Sequence, residues 1–122
     1  MMNERKIKAL VMDVDGTLTD GKIYMSPHGE MMKVFNIKDG YMLAHLSSYQ
    51  ITPIIITGRN SKILKKRCDE LHIKEVHQGI ENKRKILLEI LDRLQCALIE
   101  TAYIGDDLND LECMKLCGMS AC

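Results

Sequence analysis

Residues 7–17 read Ile7-Lys8-Ala9-Leu10-Val11-Met12-Asp13-Val14-Asp15-Gly16-Thr17. Between Ile7 and Val14 the chain is apolar nearly throughout instead of alternating, the pattern of a strand covered on both faces in a parallel sheet. The run ends in carboxylates. Further along, Ile51 to Ile56 is a second such run and ends at Thr57-Gly58-Arg59, while Thr101 to Ile104 is a third and ends at Gly105-Asp106-Asp107. A weaker strand, Glu75 to Gln78, ends at Gly79. Helical spacing fills the intervals. It is clearest in Ile86, Leu87, Ile90, Leu91 and Leu94 after an Asn82 cap, and less clean in Gly40 to Tyr49, Ser61 to Leu71 and Leu108 to Cys117. Strand and helix alternate, which predicts an α/β fold: a doubly wound, Rossmann-like parallel sheet with helices on both faces.

One stretch breaks the alternation. Lys22 to Ser26 and Met31 to Ile37 read as two strands joined through Pro27-His28-Gly29-Glu30, a β-hairpin over 22–37 inserted after the first strand. Its Tyr24, Met25, Met31, Met32, Val34 and Phe35 carry more apolar surface than a free hairpin exposes, so one face is expected to pack either on the domain or against another subunit. At 122 residues the chain suits a single domain, 1–122, and is too short for a catalytic domain plus a separate cap domain of any size.

Charge and cysteine usage narrow the partners. Acidic and basic residues balance at 17 each, so no polyanion-binding surface is indicated, and neither nucleic acid nor a membrane is expected as a partner. The charged segment Met1 to Lys8 and the short apolar run after it do not make a signal peptide or a membrane span. Five cysteines form an odd set without a paired framework, which suits a reducing, cytoplasmic setting. Cys113 and Cys117 lie four apart on an expected helix, but no second Cys or His pair with zinc-type spacing accompanies them, so they read as buried thiols.

In an open α/β sheet, ligands bind outside the carboxyl ends of the strands. Here those ends carry Asp13 and Asp15, then Thr57-Gly58-Arg59, then Gly79 soon followed by Lys83, then Gly105-Asp106-Asp107-Leu108-Asn109-Asp110. Five carboxylates gathered in one crevice repel one another unless a cation sits among them, and oxygen ligands favour Mg²⁺ over zinc. Asp13 is then available as a nucleophile. Asp15, two residues on and on the same side of an extended chain, can protonate a leaving oxygen and later deprotonate water. A hydroxyl at Thr57, backbone N–H groups at Gly58 and an ammonium at Lys83 are what a phosphoryl group needs around its equatorial oxygens. Each of these has a structural alternative, a helix cap for a strand-end Asp or a solvated surface for Lys83; their joint occurrence in this order points to phosphoryl transfer.

Four segments now carry a family resemblance. Asp13-Val14-Asp15-Gly16-Thr17-Leu18-Thr19-Asp20-Gly21, Ile56-Thr57-Gly58-Arg59, Lys83 and Gly105-Asp106-Asp107-Leu108-Asn109-Asp110 resemble the signature motifs of the haloacid dehalogenase superfamily. The narrower resemblance is to the capless 3-deoxy-D-manno-octulosonate 8-phosphate phosphatases and their nine-carbon sugar-acid relatives. It runs from about Ile7 to the end of the chain and takes in Phe35-Asn36-Ile37-Lys38-Asp39-Gly40-Tyr41, Arg67-Cys68 and Gln78-Gly79. The resemblance implies Asp13 as nucleophile and Asp15 as acid/base. It also implies Mg²⁺ held by Asp13, the main-chain oxygen of Asp15 and Asp106, with Asp107 and Asp110 in support. Asn36, Ile37, Lys38, Asp39, Gly40, Arg59, Arg67 and Lys83 would contact a phosphorylated sugar acid of the kind used in lipopolysaccharide biosynthesis. The hairpin would assemble a homotetramer. For Arg59 and Arg67 an arginine fork suits a sugar carboxylate, although a solvated helix face accounts for either residue as well.

Two departures from the family pattern stand out. Ala44 replaces an arginine usual in the octulosonate phosphatases, which shifts weight toward a nine-carbon substrate or toward one outside both groups. The resemblance also implies roughly forty or more further residues, supplying a final strand, a helix and a tail. Met119-Ser120-Ala121-Cys122 resembles only the beginning of that strand. Two other readings compete: a receiver-like signalling domain, opposed because Lys83 precedes the last acidic cluster, and a silent phosphatase-like oligomerisation module, opposed by Asp13, Asp15, Lys83 and Asp106.

Overall fold

The apolar runs form strands because both of their faces are covered. The structure, a computed structural model, describes residues 6–14, 24–26, 29–32, 42–105 and 110–121. In β1 (Ala9–Met12), Ala9 and Val11 enter one core cluster while Met12 enters the other, with Leu10 packed against its edge. The hairpin strands β2 (Tyr24–Ser26) and β3 (Gly29–Met32) follow, and then β4 (Thr52–Ile56), which divides in the same way: Ile54 and Ile56 to the first cluster, Ile55 to the second. A strand with period-two side chains and apolar residues at both phases cannot face water on either side.

The first cluster is closed by α2 (Lys83–Arg93) and α3 (Leu111–Leu116), the second by the helical stretch 42–49 and α1 (Lys62–Glu70). Leu87, Ile90 and Leu91 stand at helical spacing and are fully buried, each contributing about 1.5–3 kcal/mol. Asn82 caps α2 as expected, its side chain accepting from the Lys85 N–H at 3.1 Å.

Together with β5 (Glu75–His77), β6 (Thr101–Ile104) and β7 (Met119–Ala121), these elements make an all-parallel sheet of order β5-β4-β1-β6-β7. From β1 the chain moves to β4 and β5, then crosses to β6 on the other side and on to β7. The winding therefore reverses between β1 and β6, and in open α/β sheets ligands bind at such a switch point, outside the strands' carboxyl ends. The doubly wound α/β fold is as the sequence predicts. Among the described residues the insertion after β1 is the hairpin, with no separate cap domain.

One detail corrects the sequence reading and another extends it. The second hairpin strand begins at Gly29, which pairs with Ser26, so Gly29 and Glu30 belong to a strand and not to the turn. Composition marked them as turn residues, but backbone pairing continues wherever register allows. The final strand, whose beginning is read in Met119-Ser120-Ala121-Cys122, forms as β7: Ala102, Tyr103 and Ile104 of β6 pair with Met119, Ser120 and Ala121. Three residues suffice because the edge of β6 offers them a ready template.

Three helical ends share one device. Gln50, His72 and Gln95 adopt left-handed φ of 60°, 60° and 54°. The next residue then bonds back to a carbonyl five positions earlier: Ile51 to Leu46 at 3.1 Å, Ile73 to Cys68 at 2.9 Å and Cys96 to Leu91 at 2.9 Å. These are Schellman motifs, and their apolar last residues pack onto the cores from the end of the sheet opposite the crevice.

Candidate active site

Strand and helix periodicity bring the first two site residues together. Asp13 follows Ala9 and Val11 at period two, so it leaves the end of β1 on the face covered by α2. Lys83 opens α2 four residues before Leu87, on the helix's buried face. Lys83 Nζ accordingly lies 3.3 Å from Asp13 Oδ1. From the far side Asp110, the N-cap residue of α3, reaches the same ammonium at 2.8 Å through Oδ1. Tyr103 Oη donates to that Asp110 oxygen at 2.6 Å, and the Val14 N–H donates to Asp13 Oδ1 at 2.8 Å. Asp110 and Tyr103 are fully buried, and Lys83 and Asp13 nearly so.

The electrostatics follow from that burial. Loss of water pushes the Asp13 carboxyl up, and the Asp110 charge adds to the push; the Val14 N–H and the Lys83 ammonium pull it down without fully offsetting the rise. Lys83 thus acts in the expected direction on Asp13, but burial is the larger effect. Burial also works against the Lys83 charge. The hydrogen bond to Asp110 and the charges of Asp13 and Asp110 outweigh it, so its pKa lies above the usual lysine value and the ammonium persists at neutral pH. Burial, followed by the bond to Asp110, raises the Tyr103 hydroxyl and keeps it a donor.

Glycines set the walls of this crevice. A Cβ on Gly105 would lie 2.6 Å from Asp110 Cγ, so the glycine that follows β6 is what lets the Asp110 carboxyl pack against the backbone there. Gly58 is different. A Cβ there would meet only the Ile80 carbonyl, at an ordinary 3.6 Å, so packing does not demand glycine at this position. It leaves a bare, exposed backbone beside the buried Thr57.

Comparison with known proteins agrees with this geometry. The pattern of haloacid dehalogenase-like hydrolases matches residues 73–122. The 3-deoxy-D-manno-octulosonate 8-phosphate phosphatase of Escherichia coli (strain B / BL21-DE3) is 41% identical over 120 residues, covering 98% of this chain and 64% of that protein. The cobalt-bound deoxy-D-mannose-octulosonate 8-phosphate phosphatase of Haemophilus influenzae superposes with a TM-score of 0.91 at 35% identity, over 95% of this chain and 68% of that one. The chain belongs to the haloacid dehalogenase superfamily, in the family of the 3-deoxy-D-manno-octulosonate 8-phosphate phosphatases. The Moraxella catarrhalis member, solved with a magnesium ion, a phosphate ion and a KDO molecule, gives a TM-score of 0.88 at 39% identity over 93% of this chain and 66% of that one. The chain spans just under two thirds of the length of the curated octulosonate phosphatase it matches in Escherichia coli.

Of the residues expected from the octulosonate phosphatase pattern, the structure brings Asp13, Lys83 and Asp110 into contact and sets Thr57 and Gly58 at the end of β4, neighbour to β1. Arg59 is exposed in the same loop. Arg67 is not among them: it lies in the last turn of α1, about 9 Å along the helix from its Ser61 cap, and its guanidinium pairs with Glu70 at 3.2 Å. Asp15, Asn36, Ile37, Lys38, Asp39, Gly40, Asp106 and Asp107 lie outside the described residues. Tyr103 was missed by the sequence reading, although a tyrosine in an otherwise apolar buried strand must find a partner for its hydroxyl. Gln78, whose side chain accepts from the Ser61 N–H at 2.5 Å, entered the sequence reading only within the Gln78-Gly79 resemblance, with no role given to it.

Proposed function

We infer that this chain carries the catalytic centre of a Mg²⁺-dependent phosphomonoesterase that works through a phosphorylated Asp13. The substrate is a phosphorylated 2-keto-3-deoxy sugar acid, either 3-deoxy-D-manno-octulosonate 8-phosphate or a nine-carbon analogue. The observation that carries this reading is the buried Asp13–Lys83–Asp110 contact at the switch point of the sheet.

Two carboxylates share one ammonium there, and Asp15, Asp106 and Asp107 adjoin them in sequence, so the donor set is oxygen-only with an excess of negative charge. That set fits Mg²⁺, with Asp13, the main-chain oxygen of Asp15 and Asp106 as its holders and Asp107 and Asp110 in support. Bound there, Mg²⁺ would offset charge on the phosphoryl oxygens. Asp13 attacks phosphorus and the ester P–O bond breaks, the leaving oxygen taking the proton of Asp15. Asp15, now a carboxylate, takes a proton from water as that water attacks the aspartyl phosphate; inorganic phosphate leaves and Asp13 is restored. Thr57, Gly58 and Lys83 surround the transferred group throughout. Asn36 to Gly40 and Arg59 would hold the sugar acid, without Arg67, whose guanidinium is turned to Glu70.

The hairpin, an antiparallel pair apart from the main sheet, would join four subunits. Five cysteines without a paired framework suit a cytoplasmic enzyme, and among the described residues no helix is long and apolar enough to cross a membrane. Phosphate release from a panel of sugar-acid phosphates with Mg²⁺, measured for the wild type and for Asp13→Asn, tests the reading. Release should be lost in the variant, and equal activity would remove Asp13 as nucleophile. A receiver domain would retain its phosphate, and a silent module would release none.

A further inference from the structure

The loop from Thr57 to Ser61 lies alongside residues 77–80, and most of the bonds between them are made by backbone. The Thr57 N–H donates to the His77 carbonyl at 2.9 Å, the Ile80 N–H to the Thr57 carbonyl at 3.0 Å and the Gly79 N–H to the Arg59 carbonyl at 3.2 Å. Gly79 has a left-handed φ of 67°, and a Cβ on it would lie 2.8 Å from Asn60 Nδ2, so the two segments touch closely. One further anchor comes from a side chain. The Ser61 N–H donates to Gln78 Oε1 at 2.5 Å, and Ser61 is itself buried. Ser61 Oγ in turn accepts from the Leu64 N–H at 3.1 Å and so caps α1.

The loop is therefore held at both ends. At Thr57 the β4–β5 backbone ladder holds it, which any sequence could supply; at Ser61 the Gln78 amide holds it, which this sequence specifies. Without that acceptor the buried Ser61 N–H loses its bond to Gln78, and the 57–61 loop loses the side-chain anchor between it and residues 77–80. Thr57 and Gly58, at the start of this loop, are the residues that face the phosphoryl group in the phosphatase reading.

We propose that Gln78 is a positioning residue, whose amide oxygen fixes Ser61 and thereby sets the 57–61 loop so that Thr57 and Gly58 meet the transferred phosphoryl group. The proposal rests on the phosphatase reading. Gln78 touches no reacting atom; it acts through the loop.

The test uses the 122-residue chain with saturating Mg²⁺, inorganic phosphate as the probe, and two readouts: calorimetric phosphate affinity and amide hydrogen exchange at Gly58 to Ser61. Gln78→Met keeps the length of the side chain and removes the acceptor. It should speed exchange at these amides at least about tenfold while core amides such as that of the buried Leu91 stay protected, and weaken phosphate binding ~10-fold. Gln78→Glu keeps an acceptor oxygen at the same reach and should restore slow exchange. Combined with Thr57→Ala, the losses in phosphate affinity should be less than additive, because both act on one loop. Unchanged exchange in Gln78→Met, or faster exchange with unchanged phosphate affinity, would overturn the role of Gln78 alone. A wild-type chain that binds no phosphate would overturn the phosphatase reading, and the phosphate role of the loop with it.

Discussion

The Lys83 ammonium and the Asp110 carboxylate meet at 2.8 Å with both side chains out of water, at 2% and 0% exposure. Asp110 Oδ1 also takes the Tyr103 hydroxyl, so the carboxylate is held by two donors and in turn holds Lys83 within 3.3 Å of Asp13. Lys83→Met should therefore leave two buried carboxylates without their cation. We expect a loss of about 3–5 kcal/mol in urea unfolding measured with a chelator present, together with loss of phosphate release. Lys83→Arg should not restore turnover, since a planar fork cannot replace a compact ammonium shared by two acids. A Lys83→Met variant as stable as the wild type would show that the pair is not desolvated.

Two glycines separate the structural from the functional demand. Gly105→Ala places a Cβ against the Asp110 carboxyl and should cost about 1–3 kcal/mol, displacing Asp110 from Lys83 and lowering kcat by at least ~10-fold. Gly58→Ala meets only the Ile80 carbonyl at 3.6 Å and should stay within about 0.5 kcal/mol of the wild type. Its phosphate affinity should nevertheless fall. Thermal melts beside calorimetric phosphate titrations check both halves, and undiminished phosphate binding by Gly58→Ala would place the phosphoryl group elsewhere.

The contrast between these residues also shows what a sequence can reveal. Asp13 and Lys83 were legible because their positions follow from periodicity: one continues the two-residue phase of a strand, the other the turn of a helix four residues before Leu87. Asp110 was legible as an acid of the strand-end cluster, but its partner Tyr103 was not, because the pairing depends on how α3 lies over β6. Gln78 was legible only as part of the Gln78-Gly79 resemblance, because its bond to Ser61 depends on how the start of α1 meets the end of β5. The same reason accounts for the hairpin. Composition marked Pro27 to Glu30 as a turn, while the point at which pairing begins, Ser26 with Gly29, is settled by register between the two strands.

Acid sensitivity should be traceable to Glu75. The Arg93 hydrogen bond, 2.7 Å, holds its carboxyl below the usual value; partial burial opposes this, and His77 at 2.9 Å adds to the lowering. The folded state thus binds the proton more weakly than the unfolded chain, so the contribution is present above the unfolded value of 4.5 and disappears as pH falls through the lower folded value. Glu75→Gln should be less stable than the wild type at pH 7, with the difference shrinking once pH drops below 4.5. Arg93 is more than half exposed, so the effect should be small and should weaken further in high salt. A difference that grows on acidification would reverse the assignment.

The helix ends offer a gain in stability without a change at the crevice. Gln95 ends α2 in the left-handed region at φ 54°, where an L side chain crowds its own carbonyl and glycine does not. Its N–H bonds to the Asp92 carbonyl at 3.1 Å and that of Cys96 to Leu91 at 2.9 Å; both bonds belong to the backbone and survive substitution. Gln95 is exposed, so little packing is lost with its side chain. Gln95→Gly should therefore relieve the strain by more than the added freedom of the unfolded chain costs, a net gain of about 0.5–1 kcal/mol seen as a higher Tm. Gln95→Ala, which keeps the Cβ, should give no such gain. Because the site lies at the end of the sheet opposite Asp13, phosphate release should be unchanged, and a glycine variant that melts lower than the alanine one would show that the left-handed turn carries no strain.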